Sequence, residues 1–187
     1  RFTIPSFQRA YIWKTENILQ LVSDLDDACK SPGTPYFLGS LILVREGDNR
    51  YDVIDGQQRL VSLSIIIAVL RDLERDPDLM RQLDALLVEP GDKLRGIVTE
   101  SVFDMNDDDL ATAAQRNIVA NIRKTYDEIS NWSDAERQQF AQYLVNEVTL
   151  VIVTTDDLDG AHRIFDVMNM RGLPLTSSDG RPVDRRT

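Results

Sequence analysis

The chain is predicted to be an α+β protein, and three observations lead there. Two β-rich runs joined by a turn come early, a long stretch of helical periodicity fills the middle, and one more strand with a following helix returns near the end. Strands and helices therefore do not alternate strictly, which favours α+β over a doubly wound parallel sheet. With 187 residues the chain fits a single domain, and it is long enough to close a core without staples.

Lys14 to Cys29 has the pattern of an amphipathic helix, with Ile18, Leu21, Val22, Leu25, Ala28 and Cys29 at helical spacing and Thr15 as the expected N-cap. Ser31-Pro32-Gly33-Thr34-Pro35 stops it. Tyr36 to Val44 has the length and composition of a buried strand, and Gly47-Asp48-Asn49 turns the chain into a second strand, Tyr51 to Ile54, so the two form a hairpin. From Leu60 the period becomes helical: Leu60, Leu63, Ile66, Ile67, Leu70 and Leu73 share a face that Ile65 and Val69 widen, and so broad a stripe belongs at the centre of a core. Asp76-Pro77 is expected to end that helix.

A shorter helical segment runs from Asp78 to Val88, and Gly96 to Asp109 is poorly patterned. Leu110 to Ile129 is a longer helix, with Ile118, Ile122, Tyr126 and Ile129 at spacings of four and three. Ser133-Asp134-Ala135-Glu136 matches a capping box and opens a helix to about Leu144. Val148 to Val153 is the third strand, and Asp159 is expected to cap a last helix from Gly160 to Met170 that Arg171-Gly172-Leu173-Pro174 terminates.

Composition narrows the function. A net charge of −10 argues against a broad grip on a phosphate backbone, which needs Lys and Arg to neutralise phosphates. The acidic clumps Asp24-Leu25-Asp26-Asp27 and Asp107-Asp108-Asp109 read as solvated faces or loops. The longest apolar run, Ile65 to Leu70, falls short of the ~20 residues a membrane span requires. A single cysteine, Cys29, excludes an internal disulfide, and Arg1 to Pro5 lack the pattern of a signal peptide, so a reducing cytoplasmic setting is expected. The chain starts without Met inside a motif and ends without pattern over 180–187, as expected of an excised piece with a disordered or truncated tail.

The strongest chemical signal is Ile54-Asp55-Gly56-Gln57-Gln58-Arg59-Leu60, at the junction of a strand and a helix. Gly56 allows a sharp turn and close approach of a ligand. The helix start offers unpaired N–H groups and the positive end of a dipole, both suited to phosphate. Arg59 adds a planar charged fork, and Gln57 and Gln58 add amide donors and acceptors. Asp55 is a candidate to hold Mg²⁺, to position water, or simply to cap the helix with Arg59 in a salt bridge. The second signal, Ile4-Pro5-Ser6-Phe7-Gln8-Arg9-Ala10-Tyr11-Ile12-Trp13, surrounds Gln8-Arg9 with aromatic and aliphatic residues and can equally be a segment that only buries Phe7, Tyr11 and Trp13.

Both segments, with Tyr36-Phe37-Leu38-Gly39-Ser40 between them and Phe165, Asn169, Arg171, Gly172, Leu175 and Asp179 after them, resemble the N-terminal domain of GmrSD-type modification-dependent restriction enzymes. Four motifs in order from Ile4 to Asp179 carry the resemblance over nearly the whole chain, although Gly180-Arg181-Pro182 departs from the helix with a Lys that usually follows. The resemblance implies a core similar to that of ParB and sulfiredoxin, made of a small mixed sheet with helices over 1–75 and 148–179, with a mostly helical insertion over 76–147 in one domain of 1–187. It implies hydrolysis of a nucleoside triphosphate with Mg²⁺, coupled to sensing of modified DNA, with an HNH-type nuclease in the same chain or a partner. It places Asp55 and Arg59 in catalysis, brings Gln8, Arg9, Gly56, Gln57, Gln58 and Arg59 to the nucleotide, and makes Tyr11, Asn169 and Arg171 accessory residues. Gln8 and Arg9 then contact either phosphate or the modified DNA group.

His162 is the only histidine, and one histidine on a helix cannot by itself build a nuclease or a Ser-His-Asp triad, so it is expected to be a surface residue. Two other readings compete with a hydrolysing switch. One is a module that binds modified DNA without turnover, and the other is a structural or oligomerisation domain.

Overall fold

The computed structural model describes residues 2–3, 10–31, 33, 35–47, 50–87 and 112–171, with side chains described from Ala10 to Met168 within these ranges. In chain order the elements are β1 (Phe2–Thr3), α1 (Thr15–Cys29), β2 (Tyr36–Gly47), β3 (Arg50–Asp55), α2 (Gln57–Leu73), α3 (Pro77–Leu87), α4 (Ala113–Ser130), α5 (Asp134–Asn146), β4 (Val148–Thr155) and α6 (Leu158–Arg171). This is the α+β architecture that the sequence predicts. The strands form one mixed sheet in the order β1-β3-β2-β4. β2 and β3 make the expected antiparallel hairpin, while β1 runs parallel to β3 and β4 parallel to β2. The two-residue β1 has no sequence pattern of its own.

Side chains alternate across the hairpin and so divide between two layers. Leu41, Leu43 and Val53 pack with Leu60 of α2 on one face, and Ile42, Val44 and Ile54 pack with Ala161 and Ile164 of α6 on the other. The main core lies among the helices, where α1 supplies Ile18, Leu21, Val22 and Leu25, α3 supplies Leu83 and Leu87, α4 supplies Ile118, Ile122 and Ile129, and α5 supplies Phe140 and Leu144. Helices α3, α4 and α5 pack on α2, which is buried nearly all round from Ile65 to Leu70, and α1 joins this core chiefly through α4 and α5. The stripe predicted for this helix is displaced: Leu60, Leu63 and Leu73 are only half-buried, whereas Val61 and Ser62 are fully covered. The helix is wedged between neighbours on several sides, and a single face does not describe it.

Helix ends correct four readings. Thr15 is the first helical residue, and the N-cap position is Lys14, whose N–H donates to Asn17 Oδ1 at 2.9 Å. Helix α2 starts at Gln57, three residues before the apolar pattern becomes visible. It ends at Leu73, so Asp76-Pro77 does not stop it but opens α3: Asp76 Oδ1 accepts from the N–H groups of Asp78 and Leu79 at 2.8 and 3.1 Å, and Pro77 takes the first helical position, where its missing N–H costs nothing. The last helix is capped by Asp157, whose Oδ1 accepts from Gly160 N–H at 2.5 Å, with Asp159 already inside the first turn. The capping box at Ser133 and Glu136 is present as expected, and a second one, Thr112 with Gln115, starts α4. Predicted features over 88–111 and 172–187 lie outside the described residues.

Candidate phosphate site at the start of the second helix

Between β3 and α2 the backbone turns at Gly56, which is the N-cap of α2 and has φ +89°. Its tight surroundings matter as much as its dihedral: a Cβ there would sit 2.3 Å from Leu41 Cδ2 and 2.8 Å from the Ser40 carbonyl oxygen. Only glycine fits both demands. Asp55 therefore does not cap the helix. Among the described residues no side chain caps the first N–H groups of α2, which carry the positive end of the helix dipole.

Arg59, one turn into the helix, lies across β2. Its Nη1 donates to the Leu38 carbonyl at 3.4 Å and its Nη2 to Asp55 Oδ2 at 3.5 Å, so the salt bridge between Arg59 and Asp55 that the sequence offers does form, at the long limit of such contacts. Room for it comes from Gly39, where φ is +117° and a Cβ would lie 1.8 Å from Arg59 Nη1. Here the register of β2 against β4 slips by one residue, with Phe37 opposite Thr149 and Gly39 opposite Leu150, and this bulge turns the Leu38 carbonyl toward the guanidinium.

An open cavity of about 540 Å³ lies over this turn, lined by Trp13, Ile54, Asp55, Gly56, Gln57, Gln58, Arg59 and Phe165. Five of the site residues named from the sequence thus share one cavity. A second cavity of about 240 Å³ also reaches Trp13 and Arg59 and extends to Asn17, Gln20 and Asp24 of α1 and to Tyr36 and Leu38 of β2. Gln20 Nε2 donates to Asp24 Oδ1 at 2.8 Å. Partial burial, with the Asp24 carboxylate nearby, raises the Tyr36 phenol above its ordinary pKa.

Two side chains read as ligand contacts from the sequence are engaged with protein. Gln58 Oε1 accepts from the N–H groups of Ile12 and Trp13 at 2.9 and 3.3 Å, and its Nε2 donates to the Ala10 carbonyl at 3.2 Å. It holds the segment that carries Trp13 against the start of α2. Tyr11 is only 3% exposed and does not line the cavity. Its hydroxyl lies 2.8 Å from Ser62 Oγ and accepts from Asn121 Nδ2 at 2.7 Å, and the same Asn121 nitrogen donates to the Trp13 carbonyl at 3.0 Å. Burial raises the Tyr11 phenol above its usual range despite these hydrogen bonds.

Gln8 and Arg9 lie outside the described residues, as do the side chains of Asn169 and Arg171 near the end of α6. His162 is exposed on α6, as expected. Among the described residues no group of three or more His, Cys, Asp or Glu side chains is placed to hold a metal ion, and no helix is long and apolar enough to cross a membrane. Sequence reasoning missed Asp24, which it treated as part of a solvated acidic face, and Phe165 as a wall of the cavity. Of Gly39 it saw the motif but not the space the residue provides.

Comparison with curated proteins returns no match. The family model for the GmrSD restriction endonuclease N-terminal domain matches residues 1–181. The match takes in the strand-to-helix turn, the bulged strand and the segment before α1, and the chain belongs to the family of GmrSD restriction endonuclease N-terminal domains, a family of DNA restriction and hence of defence.

Proposed function

We propose that the domain binds a nucleoside triphosphate with Mg²⁺ over the start of α2 and hydrolyses it to the diphosphate and inorganic phosphate. One observation carries this reading: the Arg59 guanidinium, the uncapped N–H groups of α2 and the glycine turn at Gly56 all border one open cavity. Phosphate transfer asks the protein mainly for positioning and charge stabilisation, and these are the groups that supply them. Arg59 is half-buried and holds its two acceptors only loosely, so phosphate oxygens can replace Asp55 on its fork.

Among the described residues Asp55 is the one carboxylate bordering the cavity. That donor set suits Mg²⁺, which is commonly held by one or two carboxylates with phosphate oxygens and water completing its shell. Bound there, Mg²⁺ would neutralise charge on the phosphates. The Asp55 carboxylate either holds that ion, directly or through water, or accepts a hydrogen bond from the attacking water. In the reaction the water oxygen bonds to the terminal phosphorus, the bridging P–O bond breaks with its electron pair leaving on the diphosphate, and the water's proton passes to a phosphate oxygen. Trp13 covers one side of the cavity, held there by Gln58.

Within the whole restriction enzyme, nucleotide state would act on an HNH-type nuclease in the same chain or a partner that attacks modified DNA in the cytoplasm. The acidic balance of the chain favours a regulatory over a DNA-gripping role for this domain. The sheet with α1, α2 and α6 would form the ParB-like core over 1–75 and 148–179, and α3 to α5 the helical insertion over 76–147. Calorimetry with the four ribonucleoside triphosphates and Mg²⁺ tests the reading: saturable binding of at least one is expected, and no binding of any at millimolar ligand would overturn it.

A further inference from the structure

The cavity over α2 and the smaller one beside α1 meet at Trp13 and Arg59, which line both. Their chemistry is opposite. The first is bordered by a helix N-terminus and by a guanidinium that pairs with its carboxylate, Asp55, whereas the second ends on Asp24 and Gln20, away from that pair. Gln20 Nε2 gives one of its two N–H groups to Asp24 Oδ1, which leaves Gln20 Oε1 and Asp24 Oδ2 as acceptors beside the second N–H. A carboxylate repels phosphate, so the anionic end of a ligand spanning both cavities must lie at Arg59 and its hydroxyl-bearing end at Asp24. Flat apolar surface is available between them on Trp13 and Tyr36.

We propose that the cavity beside α1 seats the nucleoside half of the triphosphate, with the ribose hydroxyls donating to Asp24 and Gln20 and the base lying against Trp13. This rests on the triphosphate reading of the neighbouring cavity and adds to it a preference for ribonucleotides. Asp24 is partly exposed and is not among the buried residues of α1, so replacing it leaves the helical core untouched.

Calorimetry on the intact chain would compare the best-bound ribonucleoside triphosphate, its 2′,3′-dideoxy counterpart and inorganic tripolyphosphate, each with wild type, Asp24→Ala and Gln20→Ala. On wild type the dideoxy ligand should bind about tenfold or more weakly than the ribonucleotide, the scale of a lost charge-assisted hydrogen bond. Asp24→Ala should weaken the ribonucleotide by a similar factor and leave the dideoxy ligand and tripolyphosphate within about twofold of wild type. Equal wild-type binding of ribo and dideoxy ligands would overturn the nucleoside seat even if Asp24→Ala failed to fold, while leaving the phosphate site standing. Equal weakening of all three ligands by Asp24→Ala would overturn it as well. If wild type bound neither tripolyphosphate nor any nucleotide, the parent reading would fall and this one with it.

Discussion

The guanidinium of Arg59 occupies the space that any side chain on Gly39 would need: a Cβ there would lie 1.8 Å from Nη1. Gly39→Ala should therefore push Arg59 off the Leu38 carbonyl while leaving the helices packed. Arg59 is long and can swing away, so the stability cost is chiefly that of alanine at φ +117°, about 1–3 kcal/mol. Nucleotide binding should weaken about tenfold, as if one charge-assisted contact were lost. Thermal melting beside calorimetry checks this, and wild-type affinity in a folded Gly39→Ala protein would separate the glycine from the site.

Gly56→Ala should be harsher. The new methyl would meet the Ser40 carbonyl, which is backbone and cannot swing aside, as well as Leu41 in the sheet core. Strain at φ +89° adds to the clash, so a loss of more than about 3 kcal/mol is expected, a large share of the ~5–15 kcal/mol that holds a typical domain. Denaturant unfolding of Gly56→Ala and Gly39→Ala side by side should rank them in that order.

Gln58→Ala should free the segment before α1 without melting the domain. Three hydrogen bonds to the main chain of Ala10, Ile12 and Trp13 disappear, two at the surface and the one from Trp13 half-buried, for a net cost of about 1–3 kcal/mol. Hydrogen exchange at the Ile12 and Trp13 amides should accelerate markedly while the α2 amides from Ile65 to Leu70 stay protected. Unchanged exchange at both would show that Gln58 does not hold the segment.

Tyr11→Phe should remove both the buried hydroxyl and a pH dependence. Asn121 Oδ1 and Thr125 Oγ1 already lack a hydrogen-bond partner among the described residues, and losing the Tyr11 hydroxyl would take one partner from Ser62 and one from Asn121, costing about 1–3 kcal/mol. The folded-state pKa of Tyr11 is raised above the usual value of about 10. Its contribution to stability is therefore fully present below pH ~10 and is lost as pH rises through the folded pKa. The stability difference between wild type and Tyr11→Phe should shrink in that alkaline window. A difference constant from pH 8 to beyond 11 would contradict the buried assignment.

Local chemistry made much of this fold legible in advance. The run Tyr36 to Val44, the capping box at Ser133, the apolar spacing of α1 and the strand-to-helix junction at Asp55 each announce themselves within a few residues. What stayed hidden depends on partners far along the chain. Nothing local to Gln58 says that its amide turns back to residues some 45 positions earlier, and nothing in an acidic clump says that Asp24, unlike Asp27, borders a cavity. Asp76-Pro77 is a case of true ambiguity, since a proline that forbids continuation of one helix is equally suited to begin the next. Gly39 was visible as a motif, but its function as space for a guanidinium needs the bulge in β2 to bring the two together.

Phosphate release by Arg59→Ala beside wild type, with melting curves for both and for Ile66→Asp, decides whether Arg59 serves hydrolysis. Among the described residues Arg59 donates to Leu38 and Asp55, both at long distance, so its removal should leave melting nearly unchanged. Ile66 is fully buried, and an unpaired carboxylate there should unfold the domain, which fixes what scaffold failure looks like. Wild type should hydrolyse at least one nucleoside triphosphate, and Arg59→Ala, melting normally, should lose that activity if Arg59 holds the phosphates. An Arg59→Ala protein that melts normally and still releases phosphate at the wild-type rate would contradict that role.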